Sequence, residues 1–272
     1  MTLAGLLAAC AGRAPLPPEP AEAPLPPGLR ALPARWVHDA TGLVLVRVPA
    51  GRYVRGSPPD EPHRDTDERA HEVELAHDFW LGETEVTVAQ WERVMGADFD
   101  APSVDPALPV TDVTWYEAEE FVQRLNELGP PGWRLPCEDE WEYACRAGTT
   151  TPFAFGDDIR PEVVNYNAYY PYRPGPRGER SNGPKPVRSL PPNAWGFFEM
   201  HGNVVEWCSD VYTAEPGPTP APESEGASRV LRGGSYVAAA DQVRSAWREG
   251  YPPKSDGREY GLRVAWSPPG AR

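Results

Sequence analysis

The chain has 272 residues, a formal net charge of −14, 35 prolines, 25 glycines and 10 tryptophans. An acidic surface of this kind disfavours a nucleic-acid partner, and the Pro, Gly and Trp content argues for irregular backbone held by aromatic packing rather than a helical bundle or a doubly wound sheet. No stretch approaches the ~20 apolar residues of a membrane-crossing helix, so the N-terminal segment is the one membrane element to consider.

Leu7-Ala8-Ala9-Cys10 has the form of a bacterial lipobox after a short apolar run that lacks a basic segment. Residues 1–10 therefore read as a partial lipoprotein signal with Cys10 lipidated. Residues 11–35 are Pro-rich and cannot build a core; about twenty such residues in polyproline conformation reach ~60 Å, a tether that would hold residues 36–272 clear of a membrane. The localisation this implies is the bacterial cell envelope, lipid-anchored.

Leu43-Val44-Leu45-Val46-Arg47-Val48 reads as a strand ended by Pro49-Ala50-Gly51, and His71-Glu72-Val73-Glu74-Leu75 alternates as a second strand. Between them residues 57–70, with Pro58, Pro59 and Pro62, read as an exposed loop. His63, His71 and His77 lack any metal-ligand spacing and are read as surface or packing residues. Thr87-Val88-Ala89-Gln90 is a capping box that opens a helix to Met95. Thr114-Trp115-Tyr116-Glu117 opens a second, in which Ala118, Phe121, Val122, Leu125 and Leu128 follow at helical spacing until Gly129-Pro130-Pro131 stops it. A third helix spans Glu138 to Arg146, with Gly148 ending it in the left-handed conformation and Trp141 and Cys145 on its core side.

Residues 152–192 form a length of irregular backbone that a compact domain tolerates only when something orders it, and a bound cation is a candidate. The run from Gly196 to Trp207 has neither helical nor strand period. In it Glu199 and Glu206 flank Gly202, an oxygen-rich bend that suits Ca²⁺; the competing reading is a core loop with Trp207 buried and the glutamates in water. Residues 213–226 read as a surface loop, Arg229–Arg232 as a strand, Gly233-Gly234 as a close approach and Tyr260–Trp266 as one closing strand. With Cys10 lipidated, Cys137, Cys145 and Cys208 remain. Cys137 and Cys145 lie ~12 Å apart along a helix, so a disulfide would have to involve Cys208.

Gly196-Phe197-Phe198-Glu199-Met200-His201-Gly202-Asn203-Val204-Val205-Glu206-Trp207 resembles the Gly-Leu-Tyr-Asp/Asn-Met-x-Gly-Asn-Val-Trp-Glu-Trp signature of the sulfatase-modifying-factor family, whose founding members are the formylglycine-generating enzymes. Further family words occur in order: Glu85-Val86-Thr87, Arg134-Leu135-Pro136, Glu140-Trp141-Glu142-Tyr143-Ala144, Arg232-Gly233-Gly234-Ser235-Tyr236 and Gly261-Leu262-Arg263, over about residues 43–268. The resemblance implies an α+β, loop-rich single domain of the formylglycine-generating-enzyme type, a C-type-lectin-like variant with little regular secondary structure. It places one Ca²⁺ on the side chains of Glu199 and Glu206 and the carbonyls of Gly202 and Val204. A second Ca²⁺ falls on Asn165, the Tyr166 carbonyl, Glu179 and the Ser181 carbonyl, where Glu179 replaces the family's Asp.

Active members oxidise a sulfatase cysteine to formylglycine with O₂ at a Cu(I) ion held by two thiolates, soft ligands that suit that ion. The family's cysteines follow the Ser of Gly-Gly-Ser at offsets that here hold Ala238 and Val243, and the signature Trp before Glu206 is Val205. Cys145 matches a cysteine that some relatives join in a disulfide, yet the partner position is Val264; it reads as a buried thiol. Related iron-dependent sulfoxide synthases carry an N-terminal helical domain with a histidine triad where this chain has a tether. The expectation is a calcium-stabilised binding or scaffold module without copper, with no catalytic residue. Its groove lies at Ser235, Tyr236, Arg244, Trp247 and Arg248 and takes a peptide, glycan or envelope protein. The competing expectation is an oxidase, formylglycine-generating or other, with a rearranged site.

Overall fold

The computed structural model describes residues 35–96, 105–214 and 226–270; Cys10, the tether up to residue 34 and most of the 213–226 loop lie outside the described residues. Strands β1 (Arg35–His38), β2 (Leu43–Val48), β3 (Gly51–Arg55), β4 (His71–Leu75) and β5 (Phe79–Gly82) precede helices α1 (Val88–Met95) and α2 (Trp115–Leu128). Then come β6 (Trp133–Arg134) and α3 (Glu138–Arg146), a long irregular stretch, and β7 (Val205–Val211), β8 (Arg229–Arg232), β9 (Arg248–Tyr251), β10 (Tyr260–Leu262) and β11 (Ala265–Trp266). The architecture is α+β, with a five-stranded sheet in the order β1-β2-β5-β11-β6, a four-stranded sheet in the order β10-β7-β8-β9, and the β3-β4 pair.

Local chemistry sets the helices. Thr87 accepts the Gln90 N–H at 3.3 Å while the Gln90 side chain accepts the Thr87 N–H at 3.0 Å, and Thr114 and Glu117 repeat the exchange at 3.2 and 2.8 Å. These reciprocal bonds satisfy donors that a helix start otherwise leaves bare. At α3 the cap is one-sided: Glu140 accepts the Cys137 N–H at 3.0 Å, and Ala147, at φ 47°, takes the left-handed end ahead of Gly148.

Alternation along β2 divides the core. Leu43 and Leu45 enter a cluster with Trp91, Phe121, Leu125 and Trp133, whereas Val46 and Val48 enter another with Trp141, Phe197, Cys208 and Val230. One sheet is therefore buried on both faces. A third cluster, Phe153, Ile159, Val164, Tyr166, Ala168, Tyr172, Ala240 and Val243, packs the irregular stretch against the segment after β8.

Three expectations differ from what is observed. Val205–Val211 is a strand although its sequence does not alternate, because β7 lies between β8 and β10 and its first four residues are buried, which removes the polar face. The closing strand is two strands in different sheets, split where Arg263 turns into the core to meet Glu206 at 2.8 Å. The 57–70 loop is pinned rather than exposed throughout: Glu61 and Glu68 are buried and hold Arg244 at 2.8 and 2.6 Å.

Candidate functional site

The signature run wraps a buried charge cluster. Gly202 sits at φ 72°, and a Cβ there would lie 2.2 Å from the Asn165 carbonyl oxygen, so only glycine allows the bridge between Asn165 and Gly202. Glu206, fully buried, accepts from Arg263 at 2.8 and 3.0 Å and from the Trp141 indole N–H at 2.7 Å. Glu199, at φ 50°, accepts the Arg188 N–H at 3.1 Å and the Leu190 N–H at 3.4 Å. A third carboxylate joins them. Glu85 accepts two bonds from the Asn203 amide at 3.1 and 3.0 Å, and burial, then the charges of Glu199 and Glu206, hold its pKa well above the usual carboxylate range. Burial likewise raises Glu199. In the sequence, Glu85 stands in the word Glu85-Val86-Thr87, two residues before the helix cap Thr87.

In the first calcium set, Glu206 is paired with Arg263 at 2.8 Å and Glu199 accepts two backbone N–H groups. The residues of the second set share one place. Asn165, Tyr166, Glu179 and Ser181 all line one cavity of about 540 Å³. Asn165 spends its amide N–H groups on Gly183 O at 3.1 Å and Asn203 Oδ1 at 2.9 Å, which leaves its Oδ1 as a donor to a cation, and Glu179 is exposed with no ion pair among the described residues.

At the two thiolate positions Ala238 is half-buried and Val243 is fully buried in the third cluster. Val205 is buried as well. The cysteine in this neighbourhood is Cys145, whose Sγ lies 3.6 Å from His201 Nε2 and 3.8 Å from Ser245 Oγ. Burial pushes the Cys145 thiol up to about 12 and His201 down to about 4, so both are neutral. His201 Nδ1–H donates to the Val243 carbonyl at 2.7 Å, and its Nε2 accepts the Ala154 N–H at 3.0 Å. Cys137, Cys145 and Cys208 are all free thiols.

The five groove residues are not brought together on an open face. Arg244 is enclosed by Glu61, Glu68 and the His63 carbonyl; Trp247 is buried in the first cluster; Arg248 pairs with Glu138 at 3.0 and 3.1 Å over the Tyr212 ring. Ser235 is buried and Tyr236 alone is half-exposed. Beside Tyr236 the surface continues through Val237, 49% exposed, to Tyr169 and Tyr170, joined by bonds from Asn167 N to Ala238 O and from Ala240 N to Tyr170 O.

This geometry defines an α+β domain with one cavity lined by Asn165, Tyr166, Glu179 and Ser181 and with Ala238 and Val243 packed in an apolar cluster. Residues 37–268 match the family described as sulfatase-modifying factor enzyme 1-like domain, and the chain belongs to that family. It is 35% identical over 201 residues to the formylglycine-generating enzyme of Streptomyces coelicolor, covering 69% of this chain and 60% of that protein. It is 30% identical over 254 residues to a Chlamydia caviae protein named serine/threonine-protein kinase pkn1, covering 81% of this chain and only 37% of that one. The chain thus spans less than two thirds of either relative. Among solved structures, PvdO from Pseudomonas aeruginosa superposes with a TM-score of 0.75 at 26% identity, covering 88% of this chain and 100% of that one.

Proposed function

We propose that this domain is a calcium-stabilised binding or scaffold module of the formylglycine-generating-enzyme fold that no longer performs copper-dependent oxidation, held at the cell envelope by lipid on Cys10. The observation that carries the reading is the pair Ala238 and Val243. A methyl group and a buried isopropyl group offer Cu(I) no sulfur, and Cys145, enclosed and protonated, is no substitute. Asn165, Tyr166, Glu179 and Ser181 would hold Ca²⁺ and tie the irregular stretch to the signature run. The pkn1 relative, far longer than this domain, supports a role for the fold in proteins named for other activities.

With Arg244, Trp247 and Arg248 committed to the interior, the ligand face is the exposed strip from Tyr236 and Val237 to Tyr170. Titration with Cu(I) against a colorimetric chelator tests the reading: the domain should leave the chelator complex intact, and stoichiometric removal of copper from it would overturn the proposal. For the anchor, expression with labelled palmitate should label the chain through Cys10. An unlabelled product that retains residues 1–9 would rule it out.

A further inference from the structure

We propose that the loop carrying Tyr169, Tyr170, Arg177 and Arg180 is a binding site for an acidic polysaccharide, a linear sugar chain bearing carboxylate or sulfate groups. The inference names the partner class for the ligand face and so rests on the binding-module reading.

In a chain of net charge −14, residues 169–185 carry Arg173, Arg177, Arg180 and Lys185 against one carboxylate, Glu179. Elsewhere the buried arginines Arg146, Arg232, Arg244 and Arg263 are each matched to a glutamate. Arg177 and Arg180 are exposed and form no ion pair among the described residues. Both lie instead over the Tyr169 ring, with Cζ 4.3 and 5.3 Å from its centroid. Stacking on an aromatic face fixes a guanidinium without spending its N–H donors, so the planar forks stay available to an oxyanion. The loop is built to hold this arrangement: Gly178 N–H donates to Ala168 O at 2.9 Å, folding the arginines back over Tyr169, and Tyr170 is tied through its carbonyl to Ala240 N–H.

Tyr170, 49% exposed, stands edge-on to Tyr169 with centroids 5.2 Å apart. An exposed tyrosine beside two free guanidiniums matches a sugar ring with an acidic substituent, whose C–H face packs on the phenol while its charge meets the arginines. The surrounding charge favours a glycan over an acidic protein. A stable protein interface covers ~800 Å² on each partner and would extend past this loop onto a chain of net charge −14, whereas a linear glycan touches only the strip.

Anisotropy titrations at fixed calcium test the site, using labelled heparin and polygalacturonate oligosaccharides, which separate sulfate from carboxylate recognition. Neutral dextran, poly-glutamate and oligo-dT serve as competitors of other classes. At least one acidic oligosaccharide should bind, more weakly as salt rises from about 50 to about 300 mM. Arg177→Ala/Arg180→Ala should weaken it about tenfold or more, with an unchanged melting temperature, as should Tyr170→Ala by several-fold. Arg160→Ala, an exposed arginine off the loop, should bind as the parent does. Absence of binding to both acidic glycans, equal affinity in the double variant, or tighter binding of dextran, poly-glutamate or oligo-dT would overturn the inference. Failure here with copper still refused leaves the binding-module reading standing; copper uptake with glycan binding intact overturns that reading and not the site.

Discussion

His201 has both ring nitrogens committed, one donating to Val243 O and one accepting from Ala154 N–H, and burial holds its pKa near 4. An unfolded chain protonates this residue below about 6.5 while the folded one does not until about 4. The unfolded state therefore binds more protons across that window, and stability is lost as pH falls through it, by about 3 kcal/mol in total. Asp210, raised to about 6 by burial and then by Glu138, has the opposite sign, since its contribution shrinks as pH rises from about 4 to about 6. The clean readout is thus a difference. The unfolding free energy of the parent minus that of His201→Asn should fall by about 3 kcal/mol between pH 7 and pH 4, and a pH-independent difference would refute the assignment. At this scale the sequence was half legible. Ala238, Val243 and Val205 could be read by offset, but the burial of Arg244 and Arg248 could not, because their glutamates come from loops and helices 110 or more positions away.

Elements with local rules were readable and those set by tertiary burial were not. Both capping boxes announce α1 and α2 within four residues, since the bonds they encode are made inside the segment. β7 hid because burial erased its alternation, and β10 and β11 looked like one strand because the break is made by a partner far away, Glu206. The proposed calcium site lies in the irregular stretch from 152 to 192. If Asn165, Tyr166, Glu179 and Ser181 hold Ca²⁺, saturating calcium should raise the melting temperature, by about 2.7 kcal/mol at 100-fold over Kd or roughly 5–10 °C. Glu179→Ala should abolish that rise. A melting curve that is the same in EDTA and in calcium would dismiss the site.

For the whole molecule, six sequence words spread from Glu85 to Arg263 were enough to give family and fold, because each marks a buried junction: Trp141 and Arg263 meet at Glu206, and Arg232 meets Glu142. The proposed ligand face was not legible, since an exposed strip has no periodicity and its arginines are recognisable only by forming no ion pair among the described residues. In the proposed reading, fold and copper chemistry separate at the segment after Ser235, where Ala238 and Val243 stand. The most direct measurement is mass spectrometry of a Cys-x-Pro-x-Arg peptide incubated with the protein, Cu(I), reductant and O₂. The account predicts an unchanged peptide mass. A loss of about 18 Da, the conversion of thiol to aldehyde, would contradict it.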